Sequence, residues 1–227
     1  MTKNKLLLDR ITIEPKTTAT ACVIWLHGLG DSGAGFAPVV PLLNIPEGHG
    51  IRFIFPNAPE QPVTINNGFV MPSWYDINNN NLHNRADMAG VMISEVLVRA
   101  LINEQINDNG IDASNIVLAG FSQGGVMSLF TGLRFEHKLA GIMALSCYLP
   151  IKDKLPDALS PVNKDTPILQ NHGEQDNVVP LSSGKMANEL LKSNGYNAQW
   201  KTYHMPHSVL PEQLNDIGLW LTKLLIK

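Results

Sequence analysis

The sequence predicts an α/β fold, with a mostly parallel central sheet and helices on both of its faces. Short apolar runs alternate along the chain with segments of helical periodicity, which is the pattern of repeated strand–helix–strand units. Several of these runs are continuously apolar, as in strands that are covered on both faces. Because the 227 residues contain no repeat and no clear linker, a single domain over residues 1–227 is expected.

The predicted strands are short runs rich in apolar residues. They cover residues 11–13, 22–26, 51–55, 116–119, 139–145, 168–171 and 199–203. In a parallel sheet of this kind the functional groups are expected at the carboxyl ends of the strands. The residues that follow these runs are therefore the candidates for a site.

Helices are predicted between the strands. Residues 123–133 and Leu181–Ser193 have helical character, and Pro211 is well placed to open the last helix. A further helix is predicted to end at the turn residues 107–110. Apolar residues repeat along it at the spacing of one helix face, which is expected to be buried: Ile93, Val96, Leu97, Ala100 and Leu101.

The composition indicates a globular protein and argues against several classes of partner. Hydrophobic residues make up 44% of the chain and the net charge is -3, so no electrostatic affinity for nucleic acid is expected. The apolar run near the N-terminus is too short for a signal peptide, and the one near the C-terminus is too short to span a membrane. A cytoplasmic protein is expected, with Cys22 and Cys147 as reduced core thiols.

The most specific motif is Gly120-Phe121-Ser122-Gln123-Gly124, which matches the pattern G-x-S-x-G. It follows an apolar strand and precedes a helix, and in that context the pattern forms a sharp turn that exposes the serine hydroxyl. The glycines are required because a Cβ atom at either position would clash with the neighbouring strand and helix. Ser122 is therefore predicted to be a nucleophile, which needs a base within hydrogen-bond reach.

An acid and then a histidine are expected after this serine in chain order. Asp176 follows a strand and is the predicted acid, with Glu174 as its rival. His207 lies between the last strand and the last helix and is the predicted base. His172 is expected to support the loop that carries Glu174 and Asp176, here called the acid loop, and His204 is expected to pack at the strand end.

The oxygen of a tetrahedral intermediate requires hydrogen-bond donors. The backbone N–H of Gln123, directly after the nucleophile, is one predicted donor. The segment HGLGDSG can turn toward the serine, so the N–H of Leu29 is the predicted second donor and His27 is expected to brace the loop. The histidines lack metal-ligand spacing, so neither a metal nor another cofactor is expected.

One long segment interrupts the alternation of strands and helices. Residues 56–83 are rich in proline and asparagine, and the part at 61–75 carries apolar side chains. Long loops in compact domains are usually functional. These side chains are expected to line a pocket for an apolar substrate and to allow transient membrane contact. The alternative is a surface loop that a few aromatic side chains hold in place.

Six stretches form a recognisable pattern: WLHGLGDSGAGF, PNAPEQPVT, MPSWYDI, GFSQGG, HGEQDNVVP and MPHSV. With these motifs the chain resembles the carboxylesterase and acyl-protein thioesterase family, also described as phospholipase/carboxylesterase. The resemblance implies an α/β-hydrolase fold without a large cap domain. It also implies a triad of Ser122, Asp176 and His207, with oxyanion donors from Leu29 and Gln123.

The resemblance further implies a class of substrate. Substrates of the family are short-to-medium carboxylic esters, lysophospholipids and S-acylated proteins. An acyl pocket is expected beside Trp74, and Leu29, Met71 and Val178 are the other predicted lining residues. Two departures leave the substrate open: Glu174 stands where the family tends to have aspartate, and a cysteine is missing shortly after the histidine.

The predicted function is hydrolysis of carboxylic esters or thioesters through an acyl-enzyme on Ser122, in a monomer or weak homodimer. The alternative is a non-catalytic module that binds acyl lipids on the same fold, because a fold alone does not determine function. A module of that kind would bind acyl lipids tightly and turn over no p-nitrophenyl ester. A panel of such esters therefore separates the two hypotheses.

Overall fold

The strands form one large sheet and one small hairpin. The computed structural model describes residues 8–79, 86–150 and 159–226. Its strands are β1 (Arg10–Ile13), β2 (Ala21–Leu26), β3 (Ile51–Pro56), β4 (Glu60–Val63), β5 (Phe69–Pro72), β6 (Ile116–Phe121), β7 (Gly141–Leu145), β8 (Ile168–Gly173) and β9 (Ala198–Tyr203). The large sheet has the order β1-β3-β2-β6-β7-β8-β9. Its strands are parallel except for the edge strand β1, which runs antiparallel to β3.

Helices cover both faces of this sheet. They are α1 (Gly33–Phe36), α2 (Met88–Asn107), α3 (Gln123–Gly132), α4 (Leu181–Ser193) and α5 (Pro211–Leu225). Apolar residues of α2, α3 and α4 pack on one face, and those of α1 and α5 pack on the other. The arrangement confirms the predicted α/β class with a mostly parallel sheet.

Strand β2 explains why the apolar runs are continuous. Ile24 and Leu26 belong to the core on the first face, whereas Val23 and Trp25 belong to the core on the second. Successive side chains of a strand point to opposite faces. Because both faces are covered, every position of β2 is buried, and the sequence shows no alternation of apolar and polar residues.

The predicted strands agree with the observed ones to within two residues at each end. β7 begins two residues later than predicted, and two other strands continue into the loop that follows them. Strand β6 continues through Gly120 and Phe121, and β8 continues through His172 and Gly173. Glycine and histidine carry little strand signal, so the predicted strands stop before these residues.

The segment after β3 is better ordered than the long loop that the sequence predicts. β4 and β5 pair antiparallel, with Glu60 opposite Pro72 and Val63 opposite Phe69. The carboxylate of Asp76 accepts hydrogen bonds from the N–H (2.7 Å) and the hydroxyl (2.5 Å) of the same hairpin-turn residue, a threonine. Four-residue strands that contain proline give almost no sequence signal. Residues 80–83 of the predicted loop lie outside the described residues.

The buried face of α2 differs from the predicted one. Ile93 and Val96 are 66% and 57% exposed, although the spacing places them on the buried face. Leu97 and Leu101 are buried as predicted. The observed buried face also includes polar residues, some with partners elsewhere in the chain, so the pattern of apolar residues points to a different side of the helix. The buried residues of α2 are Val91, Ser94, Glu95, Leu97, Val98, Leu101, Ile102 and Gln105.

The parallel strands bring four loops to one edge of the sheet. β2, β6, β8 and β9 lie side by side or one strand apart in the sheet order. Their carboxyl ends therefore meet at the same edge, where chemistry is expected in an open α/β sheet. The loops that leave these ends are the ones that carry the predicted site residues. In the described part of the chain, no helix is both long enough and apolar enough to cross a membrane.

Candidate active site

The predicted nucleophile lies in the sharp turn between β6 and α3. Ser122 has φ 54° and ψ -117°, a backbone conformation that residues other than glycine rarely adopt. The conformation is held from both sides, because the Ser122 N–H donates to the carbonyl of Leu145 (2.8 Å) and its own carbonyl accepts from Val126. A strained residue persists only where its surroundings fix it, and such residues cluster at functional sites.

Close packing around this turn explains the glycines of the motif. A Cβ atom on Gly120 would lie 2.0 Å from the carbonyl oxygen of Gly124. A Cβ atom on Gly124 would lie 2.2 Å from the carbonyl oxygen of Leu26 on the neighbouring strand. Both obstacles are backbone atoms, so neither can move aside as a flexible side chain could. The turn can therefore form only with glycine on both sides of Ser122.

A chain of hydrogen bonds connects Ser122 to a histidine and a carboxylate. His207 Nε2 lies 2.8 Å from Ser122 Oγ, and His207 Nδ1 lies 2.6 Å from Asp176 Oδ2. Because an ionised carboxylate can only accept, Nδ1 carries the proton and donates a hydrogen bond to Asp176. Nε2 is then free to accept from the serine hydroxyl. The ring of Phe121 packs against His207 at 4.8 Å between centroids, with the two planes tilted by 42°, which limits the rotation of the imidazole.

The carboxylate of Asp176 is buried and fully hydrogen bonded. Its Oδ1 accepts from the N–H groups of Val178 (2.9 Å) and Val179 (2.8 Å), and its Oδ2 accepts from His207. Burial raises the pKa of Asp176, but these hydrogen bonds and the nearby imidazole outweigh it, so the net pKa lies below the ordinary value. Asp176 is therefore ionised beside His207 at neutral pH.

Glu174, the rival acid, is exposed on the surface of the same loop. Its carboxylate accepts from the hydroxyl of Thr202 (2.9 Å) and lies 3.4 Å from His204 Nδ1. The structure thus brings Asp176, and not Glu174, to His207. The prediction that His204 packs at the strand end is wrong. His204 directly follows the end of β9, and its side chain is exposed.

His172 lies beneath the acid loop. Its Nε2 donates to the carbonyl of Val179 (2.8 Å), and the same nitrogen is 3.5 Å from Asp176 Oδ2. Its ring stacks on Trp200. Burial lowers the pKa of His172, although the Val179 carbonyl and Asp176 act in the opposite direction. A neutral His172 therefore fixes the backbone that donates to Asp176, which agrees with its predicted supporting role.

The loop after β2 carries the first residues of the predicted oxyanion site. His27 Nδ1 donates to the carbonyl of Gly28 (2.6 Å), and its Nε2 accepts from the N–H of Ala58 (3.0 Å). Burial lowers the pKa of His27, against the effect of the Gly28 carbonyl, so the ring is neutral and can accept. Both ring nitrogens of His27 are thus used in hydrogen bonds that hold the loop, so His27 is not free to act as the base for Ser122.

The two predicted donors are unused within the described residues. Neither the Leu29 N–H nor the Gln123 N–H donates to another backbone group there. Gln123 is the first residue of α3, where backbone N–H groups have no partner inside the helix. The positive end of the helix dipole at this position also favours a developing negative charge.

The predicted pocket residues differ in their exposure. Leu29 and Met71 are half-buried, and Val178 is exposed on the acid loop. Trp74 has no exposed surface, so it is not itself a lining residue, and an acyl pocket beside it stays a prediction. Its Nε1 instead donates to the carbonyl of His27 (2.9 Å). An indole that lies under the loop and satisfies its N–H there is held in place and has no surface to offer a substrate.

Sequence reasoning missed the role of one side chain. The Gln123 side-chain amide is buried and hydrogen bonds to the segment at 73–75. The sequence singled out Gln123 only for its backbone N–H. The motif MPSWYDI contains the partners of the amide, but nothing in the two stretches indicates that they meet. Among the described residues, no group of three histidine, cysteine, aspartate or glutamate side chains is placed to hold a metal ion.

Comparison with known proteins identifies the family. The family model described as phospholipase/carboxylesterase matches residues 9–225. The chain belongs to the phospholipase/carboxylesterase family. Acyl-protein thioesterase 1 of Gibberella zeae is 41% identical over 213 residues, which cover 90% of this chain and 90% of that protein. Acyl-protein thioesterase 1 of Neurospora crassa is 43% identical over 217 residues, which cover 92% of this chain and 88% of that protein.

Solved structures of the family have the same fold. SOBER1 of Arabidopsis thaliana is 33% identical with a TM-score of 0.85, and the match covers 90% of this chain and 99% of that one. Acyl-protein thioesterase 2 of Zea mays is 29% identical with a TM-score of 0.85, and the match covers 96% of this chain and 99% of that one. The chain is thus an α/β-hydrolase whose described residues include no large cap domain, and it is a hydrolase of the esterase and thioesterase class.

Proposed function

We propose that this protein is a serine esterase and thioesterase that forms an acyl-enzyme on Ser122, with His207 as the base and Asp176 as the acid of the triad. The observation that carries the proposal is the continuous chain of contacts from Asp176 Oδ2 through His207 to Ser122 Oγ, with distances of 2.6 Å and 2.8 Å. Both contacts fall within hydrogen-bond range. Each atom has the donor or acceptor character that the role requires.

The first half of the reaction acylates the serine. His207 Nε2 takes the proton from Ser122 Oγ while the oxygen attacks the carbonyl carbon of the substrate. The imidazolium that forms lies against the ionised Asp176, which stabilises its charge. The N–H groups of Leu29 and Gln123 donate to the new oxyanion. His207 then protonates the departing alkoxide or thiolate, and the acyl group stays on Ser122 as an ester.

The second half releases the acid. His207 takes a proton from a water molecule, which attacks the acyl carbonyl and forms a second oxyanion between the same two N–H groups. The intermediate then expels Ser122, which recovers its proton from His207. Because acylation breaks an ester or a thioester with the same groups, the triad itself permits both classes of substrate.

The surroundings of Ser122 favour an apolar acyl chain. Leu29, Met71 and Phe121 are half-buried apolar residues on the loop, hairpin and strand next to the nucleophile. Val178 is exposed on the acid loop. Substrates with short-to-medium acyl chains, including lysophospholipids, fit this apolar lining, and the names of the fungal relatives support thioesters of acylated proteins.

A series of oxygen esters and matched thioesters of increasing chain length tests this function. We expect turnover in both series, with kcat/KM rising with chain length until the pocket is filled. Ser122→Ala should lower the rate by roughly 10⁴–10⁶, whereas the exposed Ser182 on α4 offers a matched control, Ser182→Ala, that keeps the wild-type rate. Tight acyl-lipid binding without any turnover would instead support the non-catalytic alternative.

We also propose that the β4–β5 hairpin contacts membranes transiently, which would bring S-acylated proteins to the site. Phe69 is 68% exposed, and its neighbour Val70 is also exposed. In vesicle co-sedimentation, Phe69→Ser should weaken binding. Leu219→Ser on α5, an equally exposed leucine, should leave it unchanged. Equal loss in both variants, or no binding by the wild type, would rule out the contact.

The cytoplasmic location and the monomeric or weakly dimeric state stay predictions.

A further inference from the structure

The two proposed oxyanion donors lie on separate segments of the chain. Gln123 opens α3, and Leu29 lies in the loop after β2. Stabilisation of a developing oxyanion depends on donors that are already in position before the reaction. A displacement of about 1 Å at a catalytic group can cost on the order of 10²-fold in rate. Some part of the structure must therefore fix the distance between these two segments.

The Gln123 side chain binds a third segment, residues 73–75. It is buried, with 4% of its surface exposed. Its Oε1 accepts from the N–H of Trp74 (2.8 Å). Its Nε2 donates to the carbonyl of Tyr75 (2.6 Å) and to the hydroxyl of Ser73 (3.0 Å). One amide therefore satisfies a backbone donor and a backbone acceptor of the same segment, so that segment cannot shift without breaking both bonds.

The same segment holds the loop that carries Leu29. The Trp74 indole N–H donates to the carbonyl of His27 (2.9 Å), two residues before Leu29. The N–H of Gly30, one residue after Leu29, donates to the carbonyl of Pro72 (2.9 Å). The Trp74 carbonyl is itself fixed by the hydroxyl of Ser94 on α2. Leu29 is thus held on one side by Trp74, which Gln123 binds, and on the other side by Pro72, which directly precedes the segment that Gln123 binds.

We propose that the Gln123 side chain and the Trp74 indole form a clamp that sets the position of the Leu29 N–H relative to the Gln123 N–H. Both are positioning residues, and the proposal rests on the proposed function of Ser122. Neither polar group is needed to bind the acyl chain, because both are buried under the loop. The clamp acts on the oxyanion, which exists only after Ser122 has attacked. Its loss should lower kcat and leave KM nearly unchanged.

Two variants and one control test the clamp with a p-nitrophenyl ester. Gln123→Met removes the amide at similar length, and Trp74→Phe removes the indole N–H and keeps an aromatic ring. Asn188→Leu is the control. Asn188 is also 4% exposed and its amide donates to Gln170 Oε1 (2.9 Å), but it lies on α4. All variants are compared at a temperature where thermal melting shows them to be folded.

Both clamp variants are expected to lose roughly 10–100-fold in kcat with KM within about 3-fold of wild type. The double variant should lose less than the product of the two single losses, because the two groups belong to one network. Asn188→Leu should melt earlier and keep its kcat. Since Trp74→Phe is a small change, it provides the decisive result if Gln123→Met does not fold.

Three results would overturn the clamp: wild-type kcat in both folded variants, a loss of kcat in Asn188→Leu as large as in the clamp variants, or a rise in KM at unchanged kcat. Failure of the proposed function looks different. In that case the wild-type protein itself would not hydrolyse the ester, and the clamp would be overturned together with it.

Discussion

At the scale of single residues, the proposed catalysis depends on the environment of three side chains. Ser122 is half-buried and held in a strained conformation by its turn, the ring of Phe121 limits the rotation of His207, and Asp176 is buried with every carboxylate oxygen hydrogen bonded. The serine and the chain order of its partners were predictable, because a short motif and the alternation of strands encode them. Asp176 was the predicted acid, but the sequence left Glu174 as a rival, because both follow the same strand and only the turn decides which one points inward.

A substitution at each acid tests that choice. Asp176→Asn keeps the shape of the side chain but removes the charge and lets His207 adopt the other tautomer. We expect the rate of ester hydrolysis to fall by about 10⁴. Glu174→Gln is the matched control, and its rate should stay within about 3-fold of wild type because Glu174 contacts only exposed groups. A large loss in Glu174→Gln with a small one in Asp176→Asn would reverse the assignment.

At the scale of elements, helix α2 shows where sequence patterns fail. Apolar residues occur on both sides of this helix, so periodicity alone could not select the buried one. Part of the buried side is polar: Glu95 is paired with Arg99 and Arg134, and Ser94 donates to Trp74. Arg99 lies one turn along the same helix, but Arg134 and Trp74 come from other parts of the chain, and a local pattern contains no information about them.

The orientation of α2 predicts different costs for two truncations on the same helix. Leu101→Ala removes a fully buried side chain and should lower the free energy of unfolding by about 2–5 kcal/mol. Ile93→Ala removes a mostly exposed one and should change it by no more than about 0.5 kcal/mol. Urea denaturation measures both. A similar loss of unfolding free energy in the two variants would mean that the face of α2 predicted from the sequence, with Ile93 buried, is the correct one.

The β4–β5 hairpin is a second element that the sequence did not reveal. Its strands have four residues each, and prolines stand at Pro62 and Pro72, so neither run shows a clear alternation. The hairpin depends on contacts beyond its own residues, including the Asp76 carboxylate and the Gln61 side chain, which donates to the carbonyl of Ser73 (2.6 Å). Tertiary contacts of this kind override weak local preference.

At the scale of the whole molecule, the parallel sheet converts chain order into a site. Loops that are far apart in sequence leave neighbouring strands at the same edge, so Ser122, Asp176, His207 and Leu29 converge without a dedicated interface. The sequence predicted the class of sheet because strands and helices alternate. It did not predict the strand order, which depends on how the helices distribute between the two faces.

The stability of the whole molecule should depend on pH through its buried histidines. Burial lowers the pKa of His172, so the unfolded chain binds a proton more readily than the folded one below about pH 6.5. This contribution is present above that pH and is lost as the pH falls. The pKa of Asp176 is also lowered, but its contribution is lost only below about pH 4.

Urea denaturation between pH 5 and pH 8 measures this dependence on pH. The free energy of unfolding should fall toward pH 5, and His172→Gln, which can still donate to Val179, should reduce the slope by up to about 1.4 kcal/mol per pH unit. An unchanged slope in His172→Gln would show that His172 titrates equally in both states.

The central claim is that Ser122 is the nucleophile. Reaction with a fluorophosphonate, followed by mass spectrometry of the intact protein and of its peptides, tests it most directly. We expect one added phosphonyl group per chain, located on Ser122 and lost in Ser122→Ala, with ester hydrolysis abolished in proportion to labelling. Labelling of another residue, equal labelling of Ser122→Ala, or hydrolysis that continues in the fully labelled protein would contradict it.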